Sequence, residues 1–153
     1  MPRKPRFYLP NVPVHIVQRG HSRSAIFFEP QDYATYTHWL KEAGEKYSVN
    51  IHAFVLMTNH VHLVLRTRPD LVAQWSDEEV VRRWKSVYSS VQGNVLHKGF
   101  RLPQEQIKEL RTRLSSLSWF MKDLNEYIAR RANKEEEVSG RFWESRFKSQ
   151  RLI

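Results

Sequence analysis

Ile51-His52-Ala53-Phe54-Val55-Leu56-Met57-Thr58-Asn59-His60-Val61-His62-Leu63-Val64-Leu65 contains two apolar, β-branched runs, Ile51 to Met57 and Val61 to Arg66, parted by Thr58-Asn59-His60. Two such runs around a short polar break predict a β-hairpin. Side chains alternate across a strand, so Val61, Leu63 and Leu65 leave one face of the second run. His60, His62, Val64 and Arg66 leave the other. One face is therefore built for a core and the other carries imidazoles.

The flanking chain supplies what would cover the apolar face. Upstream, Pro13-Val14-His15-Ile16-Val17-Gln18-Arg19-Gly20 is a β-rich run stopped by glycine, and Arg19 to Ser24 follows as a basic loop. Pro30 suits the first turn of a helix, and Tyr33, Tyr36, Trp39, Leu40, Ala43 and Tyr47 recur at helical spacing to about Ser48. That stripe reads as core rather than as a platform for bases. Downstream, Ser76-Asp77-Glu78-Glu79 is a capping box ahead of Val80, Val81, Trp84, Val87 and Tyr88. Gly93 to Phe100 reads as a loop. Pro103 opens a helix through Ile107, Leu110 and Leu114, and a continuation or a new helix from Ser115 or Ser116 carries Leu117, Phe120, Met121, Leu124, Tyr127 and Ile128. Gly140 to Lys148 alternates loosely and predicts a last, basic strand. The sum is an α+β fold, an antiparallel sheet with helices packed on one face. The histidines then lie on the accessible face.

At 153 residues the chain suits one domain with its own core, and hydrophobic residues at 41% support a packed fold. Its net charge of +9, from 25 Lys and Arg against 16 Asp and Glu, favours a polyanionic partner. The bland alternative is a small protein that is basic to no purpose. Position argues against it. The first 28 residues hold Arg3, Lys4, Arg6, Arg19 and Arg23 and no acid, and the last 13 hold Arg141, Arg146, Lys148 and Arg151 against Glu144 alone. There is no cysteine, which excludes disulfides, thiolate metal sites and cysteine nucleophiles. No apolar run is long enough for a signal peptide or a membrane span, so a soluble, cytoplasmic protein is expected.

His60 and His62 sit two apart on one strand, about 7 Å apart at Cα. Neutral imidazoles so placed can share one metal ion if their rotamers converge, leaving open positions for water and phosphate oxygens. A His-x-His pair on an exposed strand is more often merely solvated. Neither HExxH nor a Cys/His pattern is present, so structural zinc is not expected.

The hairpin segment Ile51 to Leu65 closely resembles the signature of REP-associated tyrosine transposases, of the HUH class of single-tyrosine transposases. Met1-Pro2-Arg3-Lys4-Pro5-Arg6 with Val14 to Gly20, and Gly140-Arg141-Phe142-Trp143-Glu144-Ser145-Arg146-Phe147-Lys148-Ser149, also look like that family, and the three blocks fall in its order. Residues 70 to 115 are less diagnostic. The resemblance implies a ferredoxin-like fold, one HUH domain over 1–153, and metal-assisted transesterification on single-stranded DNA near a hairpin. Here His60 and His62 would hold Mg²⁺ or Mn²⁺ and serve as catalytic residues. Arg19, Arg23, Arg141, Arg146 and Lys148 would contact DNA phosphates, and a homodimer is a possible assembly.

The sequence departs from the pattern at the nucleophile. In the family a tyrosine on a helix after the Arg-Phe-Trp-Glu block attacks the scissile phosphate, and no residue here matches it. The chain is read as a truncated, fragmentary or degenerate copy. Tyr127 follows His62 on a helix, but its spacing with Leu124 and Ile128 places it in the apolar stripe. Two readings remain, a transposase-type endonuclease and strand transferase, or a DNA-binding module without cleavage. A third is an RNA-binding or unrelated basic α+β protein.

Overall fold

The computed structural model describes residues 11–86, 102–135, 141–144 and 146–152. Among the described residues, strands run Val14–Arg19 (β1), Val49–Met57 (β2), His60–Thr67 (β3) and Lys148–Arg151 (β4). The α-helices among the described residues run Pro30–Lys46 (α1), Pro69–Gln74 (α2), Asp77–Ser86 (α3), Gln104–Leu114 (α4) and Leu117–Glu135 (α5). The sheet order is β2-β3-β1-β4, with every neighbouring pair antiparallel. The β1–α1–β2 crossover thus brackets β3, which is the ferredoxin-like order. The expected α+β class with an antiparallel sheet is what the chain adopts.

Local chemistry accounts for the boundaries. Pro30 opens α1, where its missing N–H costs nothing, and the Asp32 carboxylate accepts from the backbone N–H of Phe28 at 2.7 Å and of Glu29 at 3.0 Å. The Ser76 hydroxyl accepts from the N–H of Glu79 at 3.1 Å, as the capping box requires. Leu114 ends α4 and Leu117 begins α5, so the chain takes the break near Ser115 rather than one continuous helix. The short helix α2 has too few residues to declare an apolar period. Val87, Tyr88, the expected loop at 93–100 and the basic residues Arg3, Lys4 and Arg6 lie outside the described residues.

Register explains why the core forms on one side. Val14 pairs with Leu65, Ile16 with Leu63 and Gln18 with Val61, and the three apolar β3 residues are fully buried. Tyr36 and Leu40 of α1 and Phe120, Met121 and Leu124 of α5 bury themselves in the same core. Each such side chain contributes about 1.5–3 kcal/mol from the area it removes from water. On the other face His15 pairs with Val64, Val17 with His62 and Arg19 with His60, all only half-buried.

The last strand differs from expectation. Regular pairing covers only Lys148–Arg151, and upstream of it Trp143 bridges to Gly20 alone. Gly20 and Val17 are three positions apart while their partners Trp143 and Lys148 are five apart, so the ladder cannot be continuous. Trp143 and Phe147 are both buried. Anchoring two large rings in the core outweighs unbroken strand pairing there.

Candidate functional site

The two sequence-singled histidines come together on the open face. Their ring centroids are 4.9 Å apart and their planes nearly perpendicular, at 75°. The His60 Nδ1 lies 2.8 Å from the Asn59 side-chain oxygen. The same Asn59 amide donates to the Arg23 carbonyl at 3.1 Å, which fixes its orientation. Nδ1 of His60 is therefore the protonated nitrogen, and Nε2 keeps its lone pair.

His62 is held by a residue that the local pattern does not single out. His15 Nε2 lies 2.9 Å from His62 Nδ1, with the two rings within 13° of parallel. When His62 donates that proton, its Nε2 also presents a lone pair. This is the arrangement that orients metal-bound imidazoles, with the second nitrogen tied down and the first left open. Alternation in β1 put His15 on the Arg19 face, but its contact with His62 required the β1–β3 register. Burial, followed by the nearby His60, His15 and Arg19, holds the His62 pKa below the usual imidazole value and favours its neutral form.

The donor set suits a divalent ion only in part. Two Nε2 atoms are available when His62 is the donor to His15. Among the described residues no group of three or more His, Cys, Asp or Glu side chains is arranged to hold an ion. An ion held there would have to complete its coordination with water or other oxygen ligands.

Of the five predicted DNA-contacting cations, strand register places two beside the histidines. Arg19 stands directly across from His60, and exposed Lys148 across from Val17, which in turn faces His62. Arg23 is exposed in the 3-10 turn His21–Arg23, tied to the hairpin turn through Asn59. Arg141 is exposed and donates to the Glu144 carbonyl at 3.2 Å, near the His21 N–H that bonds the Phe142 carbonyl at 2.9 Å. Arg146 is exposed between the two buried rings of the C-terminal block. That block is pinned by Trp143, whose indole N–H donates to the Asn125 carbonyl at 2.9 Å. The Asn125 side chain in turn donates to buried Gln18 at 2.9 Å.

Tyr127 is not near the histidines. It packs on α5 with its ring centroid 3.9 Å from that of Trp39 in α1, on the covered side of the sheet. Tyr33 stacks on Phe27, while Tyr36 and Tyr47 are buried, and Tyr8 and Tyr88 lie outside the described residues. Among the described residues no helix is long and apolar enough to cross a membrane.

The chain resembles in fold a structure described as the REP-associated tyrosine transposase bound to a REP hairpin, at 12% identity and a TM-score of 0.51. The match covers 100% of this chain and 63% of that one, so the present chain spans less than two thirds of its length. A candidate transposase from Deinococcus radiodurans R1 matches at 14% identity and a TM-score of 0.46, over 99% of this chain and 86% of that one. No curated protein sequence matches. The sequence pattern of the family described as "Transposase IS200 like" matches residues 8–98, which include β1, α1 and the histidine hairpin. That span exceeds half of the chain, and the chain belongs to the IS200-like transposase family.

Proposed function

We propose that this transposase-family chain binds single-stranded DNA, next to a hairpin, across the open face of its sheet, and that His60 and His62 hold a divalent ion against the scissile phosphate. The observation that carries the reading is the pair of imidazoles each tied down at Nδ1, His60 by Asn59 and His62 by His15, on a face bordered by Arg19 and Lys148. Bound Mg²⁺ or Mn²⁺ would polarise the phosphodiester and stabilise the charge that develops on it. Arg19, Arg23, Arg141, Arg146 and Lys148 hold the backbone through phosphate contacts, which position the strand without reading its sequence. The low His62 pKa keeps its ring neutral and available as a ligand.

The full reaction is strand cleavage and transfer through a tyrosine ester. A second reading, a hairpin-binding module without cleavage, draws on Tyr33, Tyr36, Tyr47 and Tyr127. All four are engaged in packing around α1 or α5 rather than on the histidine face. The two readings part in one assay. The protein is incubated with Mn²⁺ and hairpin-tipped single-stranded DNA, and covalent complexes are sought on denaturing gels. An SDS-resistant adduct lost in His60→Ala supports strand transfer. Metal-dependent binding without adduct selects the module, and binding of duplex RNA in preference to the hairpin defeats both.

A further inference from the structure

At the end of β1 beyond Arg19, a cavity of about 230 Å³ opens between the following turn, the start of α1, the far end of α5 and the segment at Phe142. Its placement is tied to the histidine hairpin. The backbone N–H groups of Ile26 and Phe27 donate to the Thr58 carbonyl at 2.8 and 3.2 Å, and that of Gly20 to Asn59 at 2.9 Å. The cavity wall therefore hangs on the same β2–β3 turn that leads into His60.

Its chemistry is mixed in a particular way. Ile26, Phe27 and Ile128 give it an apolar lining, and Phe28 beside them leaves 65% of its surface exposed. The exposed Arg131 and Arg141 also line it. Asp32 adds a carboxylate, whose Oδ2 already accepts from the start of α1. A carboxylate in the wall disfavours a phosphate inside, yet it accepts readily from an exocyclic amine on a base. The volume lies below the roughly 300–1,000 Å³ of pockets for drug-sized ligands. It suits one planar ring system.

We propose that this cavity receives a single unstacked nucleobase from the DNA strand on the open face, with the adjoining phosphates against Arg131 and Arg141. Apolar and aromatic walls beside guanidinium groups are how proteins hold a base drawn out of its stack. The proposal rests on the DNA reading above. It adds a point of base recognition to a surface whose other cations meet only backbone.

The test measures affinity of the full chain for a single-stranded oligonucleotide and for a series carrying one abasic position each, at fixed salt. One position should lose about tenfold in affinity when its base is removed. In Ala132→Phe, which fills the cavity from α5, or in Phe28→Ala at its exposed rim, that penalty should vanish while the salt slope stays unchanged. The second variant keeps the test sound should the first fail to fold. Equal penalties along the strand, or a single-position penalty undiminished in a folded variant, overturn the proposal. So does binding of free deoxynucleoside monophosphates as tight as that of the strand. Failure of the intact oligonucleotide to bind at all sinks the DNA reading itself, and this site with it.

Discussion

Three imidazoles meet on the open face, and each has a different job. His60 is oriented by Asn59 and His62 by His15, each through Nδ1, whereas His15 spends its Nε2 on His62. Burial first, then the positive potential of His60, His15 and Arg19, disfavours a proton on His62. Its proton NMR titration midpoint should therefore fall below the usual 6.5, and His60→Asn should move it upward. The sign for stability follows by linkage. A depressed folded pKa means His62 contributes fully above the unfolded value, and the contribution is lost as pH falls through the folded one. A midpoint at or above 6.5 would show that these neighbours do not act on it. His15→Phe keeps a ring in place but removes the bond to His62 Nδ1. Loss of such an orienting partner typically weakens metal binding about 10- to 100-fold. Mn²⁺-induced broadening of the His62 resonance should then need correspondingly more metal, whereas unchanged broadening would leave His15 as simple packing.

Among the elements, the hairpin and α1 were the most legible in sequence, because each carries its own period over many residues. The Ser76 cap was readable for a related reason, since capping chemistry is local to a turn, whereas the sequence left open whether α4 continues or breaks near Ser115. The last strand was not. Its placement depends on where Trp143 and Phe147 find room in a core made by residues far away. Trp143→Phe should keep the ring buried and remove the indole bond to the Asn125 carbonyl, which as a mid-helix carbonyl still accepts along α5, at a cost of about 0.5–1.5 kcal/mol. Urea unfolding followed by far-UV circular dichroism would register it. A shift indistinguishable from zero would mean that apolar contact alone holds the C-terminal block.

For the whole molecule, the net charge of +9 matters less than which cations are committed to acids. Arg82 and Arg83 pair with Glu79, whose pKa they help bring down to about 2, and Arg113 pairs with Glu109. Arg19 and Lys148 instead border the histidines. Replacing either with glutamine should lower the salt slope for single-stranded DNA by about 0.7. The same change at Arg82 should leave it unaltered, and an equal effect at all three would mean diffuse attraction rather than a bounded surface. The sequence by itself determined the class of fold, the hairpin, and the side of the sheet on which His60 and His62 emerge. Those depend on periodicity, which a strand carries within a few residues. Tertiary structure alone decided that His15 braces His62, that Trp143 locks the basic block to α5, and that a base-sized cavity hangs on the hairpin turn. Each of these joins residues distant in the chain. Strand order and register bring them together, and no local pattern encodes either.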